Sequence, residues 1–227
     1  MKMTQPEPIS RANLSEQLYQ RLRQGLMDGQ YHPGQRLTIS ELAKQHGTSS
    51  TPVREAMFRL VSERALEIKA ATSVFVPKLT PRDLREIISI RIDLEGMAAY
   101  RCAEICTPAD IAELEDINRH FIQAAAEDPE AASRINRNFH FKILQLAEMP
   151  FVESICETMW TLMGPFLRTF HEEVPARQLS ADNHRHFPAL EAMRRSDADA
   201  ARAAMQDDIR WGITLVDRQY GTEQTES

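Results

Sequence analysis

Several polar side chains in this chain stand at spacings that bring them onto one helix face. Arg91 and Glu95 are four residues apart, as are Asn136 and His140, and residues four apart stack on the same side of a helix. On a surface, Arg91 and Glu95 would make an ordinary helix-face ion pair. Turned inward, a guanidinium takes a carboxylate ligand in a bidentate fork. The face that carries Asn136 and His140 also carries Leu144, so both polar groups are expected to point into a core. His186 and Asp208 lie on later helices. By spacing alone, His140 and His186 read as hydrogen-bonded core histidines. Cys102 and Cys106, again four apart, read as small apolar residues facing a core rather than as a redox or metal pair. No nucleophile is paired with a histidine and no general base stands at motif spacing, which disfavours an enzyme.

A second group of residues fits nucleic-acid chemistry. In ISELAKQHGTSSTPVREAMFRLVSER, residues 39–64, Ile39, Leu42 and Ala43 share one helical face. Gly47 can take the left-handed conformation that ends a helix. Ser49 is a suitable N-cap, and Pro52 falls in a first turn, where a missing N–H does no harm. Val53, Ala56, Met57, Leu60 and Val61 then form an apolar stripe, with Arg54, Arg59 and Arg64 off it. This is the pattern of a helix-turn-helix, whose second helix meets base edges with its N-terminal end. Two short β-prone runs follow, 66–68 and 74–76, which predicts a hairpin, the wing of a winged helix.

The elements that would position these groups can be read around them. Leu14, Leu18, Leu22 and Leu26 repeat at helical spacing, a helix that covers the helix-turn-helix and ends at Gly29 and HPG, 32–34. Residues 1–12 read as a flexible arm, 13–78 as the winged helix-turn-helix domain, 78–81 as a linker, and 79–227 as a helical domain. In the last, Pro81 opens a helix to about Ile105. Thr107-Pro108-Ala109-Asp110 gives a cap, an N1 proline and an acidic N3 residue. Asp128-Pro129, Pro150 and Pro175 break the helices that follow, and Ser180 and Ser196 would cap the last two. No strand-like alternation follows Val76. The fold class predicted is mainly α: a winged helix-turn-helix with a small β-hairpin, then an antiparallel all-α bundle of about six helices.

Composition bounds the function. The chain has 227 residues, 42% of them hydrophobic, enough for two domains. No run approaches the length of a membrane span, and the first residues lack the apolar core of a signal peptide, so a cytoplasmic protein is expected. Three cysteines do not make a disulfide framework. The net charge is −6, but unevenly spread: residues 1–78 hold 11 Lys/Arg against 7 Asp/Glu, and residues 79–227 hold 16 against 26. A basic N-terminal part on an acidic body presents one face to phosphate. Its excess of four positive charges is modest, so two copies would bind DNA far better than one.

HPGQRL at 32–37, ELA at 41–43 and TPVREAM..L at 51–60 resemble the DNA-binding domain of GntR-type bacterial transcription regulators. RIDLEGMAA at 91–99, NRNFH at 136–140, HFPALEAM at 186–193 and ARAAMQDDI at 201–209 resemble the helical effector domain of the FadR-like branch, called FCD. The resemblance implies a homodimer that binds a palindromic DNA operator and answers to a small organic acid. It places Ser49, Ser50, Thr51, Arg54, Arg36 and Lys69 at the DNA. It places Asn136, His140, His186 and Asp208 around a divalent metal, zinc, manganese or nickel, and Arg91 with Glu95 at the effector. Met97, Trp160, Met163 and Phe166 could line such a pocket, though residues of these types more often serve simply as core.

Four residues depart from the family pattern. Asp208 stands where a third histidine is usual, which leaves two imidazoles and a carboxylate. His184, two residues before His186, would point elsewhere on a regular helix. Ser50 replaces an arginine, a candidate reader of guanine, and Thr72-Ser73 replaces an Arg-Gly wing tip, for which Lys69 partly substitutes. Two alternatives stay open: a regulator that senses the metal itself, and an enzyme in which the metal activates water.

Overall fold

The computed structural model of the protein describes residues 11–69, 73–173 and 186–221. The chain begins with α1 (Arg11–Met27), β1 (Arg36–Leu37), α2 (Ile39–Gln45), α3 (Ser50–Ser62), β2 (Glu67–Lys69) and β3 (Ser73–Phe75). It continues as α4 (Pro81–Ile105), α5 (Pro108–Glu127), α6 (Pro129–Leu146), α7 (Pro150–Glu173), α8 (His186–Arg194) and α9 (Ala198–Tyr220). This is a winged helix-turn-helix followed by an all-α bundle of six helices among the described residues.

The first unit, here the head, closes over Leu18, Leu22 and Leu26 of α1, Leu42 and Ala43 of α2, and Val53, Met57 and Leu60 of α3. Leu14, the first leucine of the α1 repeat, is instead exposed. Thr38 caps α2 by accepting from the Glu41 N–H, and Gly47 ends it with φ of 62°. Ser49 has the extended backbone of an N-cap, but its side chain makes no cap hydrogen bond. The expected hairpin forms one residue later in its first strand and one earlier in its second. A third strand joins it: β3 lies between β1 and β2, both antiparallel to it, with Leu37 and Ile68 each opposite Val74. Thr72 lies outside the described residues.

The helical unit, here the body, is organised by its caps. Thr80 with Asp83 and Thr107 with Asp110 form capping boxes at α4 and α5, each followed by an N1 proline. Asp128 ends α5 and caps α6. Asp197, not Ser196, caps α9, since Ser196 has φ of 52°. Pro165 sits inside α7, where it removes one helical hydrogen bond. The core runs from Leu84 and Ile88 of α4 through Phe139 and Ile143 of α6 and Met163 of α7 to Met205 and Ile209 of α9. Residues 11 and 12, read as part of an arm, belong to α1, while 1–10, Pro175, Ser180 and His184 lie outside the described residues. No helix among the described residues is long and apolar enough to cross a membrane.

Candidate functional site

Each of the six body helices sends at least one polar side chain to a single buried cluster. Arg91 and Glu95 come from α4, Asn118 from α5, His140 from α6, Trp160 from α7, His186 from α8 and Asp208 from α9. All but Asp208 are at most 5% exposed, and Asp208 is partly covered. Amphipathic helices turn apolar faces inward. Seven polar groups on those faces are therefore costly unless they satisfy one another.

Glu95 is the hub. Its Oε1 accepts from Arg91 Nε at 2.6 Å and from Trp160 Nε1 at 3.1 Å, and its Oε2 faces His140 Nδ1 at 2.7 Å. The Arg91 guanidinium also lies over the Trp160 ring, 3.8 Å from its centroid. Burial alone would raise the Glu95 pKa, but the charges of Arg91 and His140 outweigh it and hold it at about 2. For His140, burial pushes downward, and the carboxylates of Glu95 and Asp208 outweigh it, raising its pKa to about 9. The Arg91–Glu95 pair is thus no surface ion pair. Both oxygens of Glu95 are engaged inside the protein, one by Arg91 and Trp160 and the other by His140.

The far side of His140 faces a second carboxylate. His140 Nε2 is 3.1 Å from Asp208 Oδ2, and His186 Nε2 is 3.9 Å from the same atom. His186 Nδ1 lies 3.1 Å from the Asn118 amide oxygen, an acceptor, so the imidazole proton sits on Nδ1. The ring is held in place by stacking on Phe139, centroids 3.8 Å apart. Both imidazoles thus have Nδ1 engaged and turn Nε2 toward Asp208. Ligands about 2.0–2.2 Å from a common ion stand roughly 3–4 Å apart. The two separations to Asp208, 3.1 and 3.9 Å, are in that range, and all three ligand atoms lie within 4.8 Å of one another, so a small inward movement would let the cluster hold a divalent cation. The outer contacts of Glu95 and Asn118 orient its histidines in the manner of metal sites. Asn136 occupies the preceding turn of α6, half-buried.

Sequence reasoning brought His140, His186 and Asp208 together but missed Asn118. A signal was present. Asn118 stands in the buried register of α5 with Leu114, Phe121 and Ala125, and a polar residue in such a stripe needs a partner. Of the expected lining residues, Trp160, Met163 and Phe166 are buried, while Met97 points to solvent, 39% exposed.

On the head, Ser49, Ser50, Thr51, Arg54, Arg36 and Lys69 are all exposed. Arg36 and Arg54 make no ion pair among the described residues, and neither is otherwise engaged. Arg59 differs: it pairs with Glu16 and lies over the Tyr19 ring at 3.6 Å, tied back to α1. Lys69 is paired with Glu67 at 2.6 Å.

Comparison with known proteins agrees with this division of labour. Residues 14–76 match the family of bacterial regulatory proteins called gntR, and residues 86–210 match the FCD domain. The chain belongs to the GntR family, in its FCD branch. This GntR-family protein is 33% identical over 213 residues to the HTH-type transcriptional regulator McbR of Escherichia coli K12, spanning 93% of this chain and 96% of McbR. It is 25% identical over 217 residues to the transcriptional repressor RspR of the same organism, covering 91% and 90%. The structure of E. coli McbR/YncC superposes with a TM-score of 0.86 at 34% identity, over 91% of this chain and 98% of that one. A GntR regulator from Rhodococcus sp. RHA1 shares the fold, with a TM-score of 0.73 at 20% identity over 91% and 98%. The chain is therefore a helix-turn-helix transcription regulator that binds DNA, not an enzyme, with an FCD effector-binding domain.

Proposed function

We propose that this regulator is a homodimeric, cytoplasmic repressor whose hold on a palindromic operator is set by a small organic acid in the body. Residues 13–78 would form the DNA-binding domain and 79–227 the effector-binding and dimerisation domain. The observation that carries the reading is the buried cluster, where two imidazoles with fixed Nδ1 partners turn Nε2 to one carboxylate. A core built only for stability has no need of that convergence, since apolar residues fill such space as well or better.

His140, His186 and Asp208 would hold a divalent ion, zinc, manganese or nickel, with Asn136 the nearest further donor. The ion would supply an electropositive centre for an oxyanion. Arg91 would add the second cation. Its Nε is held by Glu95 and its Cζ lies over Trp160, and its terminal nitrogens would supply a bidentate fork. With a divalent ion bound, Arg91, Glu95 and Asp208 leave the buried site one positive charge in excess, which a carboxylate neutralises. A second reading makes the ion itself the effector; a ligand set of two imidazoles and a carboxylate that involves no organic acid favours it.

At the DNA, Arg54 and Arg36, whose side chains are uncommitted among the described residues, supply the base and phosphate contacts, with Ser49, Ser50 and Thr51 at the start of the recognition helix and Lys69 on the wing. Selection of genomic fragments in about 0.15 M salt, which suppresses non-specific binding, tests this. Enrichment of one short palindrome, lost in Arg54→Ala, supports the reading. Enrichment of none, or equal enrichment by the variant, refutes it.

A further inference from the structure

The head is seated on the body through a close and charged contact. Arg23 of α1, 8% exposed, donates from Nη1 to Glu157 Oε2 of α7 at 2.7 Å and from Nη2 to Thr158 Oγ1 at 3.4 Å. Arg137 of α6, 6% exposed, pairs with Asp28, just past the end of α1. Between these pairs α7 meets the α1 backbone at Gly164. A Cβ there would stand 2.0 Å from the Leu26 carbonyl oxygen and 2.8 Å from Met27 Cα, so only glycine permits the approach. Buried ion pairs add little net stability, but they penalise any arrangement that separates them.

Two further relationships give this seat a role. The recognition helix rides on α1: Ser15 bonds Glu55, Glu16 pairs with Arg59, and Tyr19 Oη donates to Glu63 at 2.8 Å. On both body helices, the residue that touches the buried cluster is one turn from a residue that touches the head. His140 follows Arg137 by three positions. Trp160 follows Glu157 by three and precedes Gly164 by four.

We propose that this seat is the relay between effector site and DNA. A shift of α6 or α7 at His140 or Trp160 reaches Arg137, Glu157 and Gly164 directly. The packing at Gly164 leaves no slack to absorb it, and close-packed contacts respond by switching rather than deforming. The head then has two postures, seated on α7 and released, and α1 carries the recognition helix with it. The proposal rests on the ligand-responsive reading above, but its test needs no ligand.

The test is hydrogen exchange on the full-length protein. Gly164→Ala favours the α7 helix itself, alanine being the better helix former, yet forbids the seat. Exchange across 22–28 is expected to rise by about tenfold or more while α4 and α9 stay protected. His140→Ala should raise exchange across 22–28 by about threefold or more in the natural chain and not further in the Gly164→Ala background. Unchanged exchange in Gly164→Ala overturns the seat, and equal effects of His140→Ala in both backgrounds overturn the relay. Should Gly164→Ala expose α4 and α9 as well, the double variant Asp28→Asn, Glu157→Gln, which adds no heavy atoms, takes its place with the same outcomes. A separate titration with zinc, manganese and nickel that finds no binding would refute the metal reading and leave the coupling of His140 to the seat standing.

Discussion

Nδ1 of His140 lies 2.7 Å from Oε2 of Glu95, and the other oxygen of that carboxylate holds Arg91 and Trp160. One buried group thus orients both the imidazole that faces Asp208 and the guanidinium proposed for the effector. Glu95→Gln keeps the shape and removes the charge, leaving Arg91 buried without its counter-ion. Urea unfolding should show a loss of about 3–5 kcal/mol. Zinc affinity, measured by calorimetry, should fall about 10–100-fold, as for other outer partners of metal-bound histidines. Unchanged zinc affinity would show that Glu95 does not orient His140.

Arg54 and Arg59 lie on the same helix and should behave as opposites. Arg54 is exposed and uncommitted, whereas Arg59 is tied to Glu16 and Tyr19. Arg54→Ala should cost about 1–3 kcal/mol of operator binding and little on random DNA, read by fluorescence anisotropy. Arg59→Ala should lower the melting temperature and leave the ratio of specific to non-specific affinity close to that of the natural chain.

Acid should loosen the body at its helix starts. Hydrogen bonds from Thr80 lower the Asp83 pKa, and those from Thr107 lower that of Asp110. A carboxyl whose folded pKa lies below its unfolded one stabilises the fold above the unfolded value, about 3.9. That contribution fades as pH falls from there through the folded value. The double variant Asp83→Asn, Asp110→Asn should be less stable at neutral pH, and chemical denaturation should show a shallower loss of stability below about pH 4.

Asp208 is where this chain departs from the family's third histidine, and it offers a gain-of-function test. Zinc at about 100 times its Kd should stabilise the natural chain by about 2.7 kcal/mol, reversed by chelation. Asp208→Ala should lose that stabilisation. Asp208→His should tighten binding of zinc and nickel, for which imidazole is the better ligand. A thermal-shift series across the three proteins checks all of this.

Local chemistry made much of the molecule legible in the sequence. The capping box at Thr107 and Asp110, the left-handed turn at Gly47 and the buried stripe of α3 each depend on neighbours a few residues away. What stayed hidden depends on distant partners. The two-residue strand β1 exists only because β3 offers it an edge. Met97 shares a helix with Arg91 and Glu95, yet is 39% exposed. His140 and His186 could be placed on inward faces, but not their distances, since 46 positions separate them. The role of Asn118 appears only when α5 packs beside α8.

The claim that the buried cluster governs DNA binding is tested most directly by operator affinity. Anisotropy titrations of the selected palindrome would be run with zinc alone and with zinc plus a panel of small mono- and dicarboxylic acids. At least one condition should change the Kd by about 5–150-fold in the natural chain, and His140→Ala should abolish the change. A Kd that no condition moves, or a shift that survives in His140→Ala, would contradict the account.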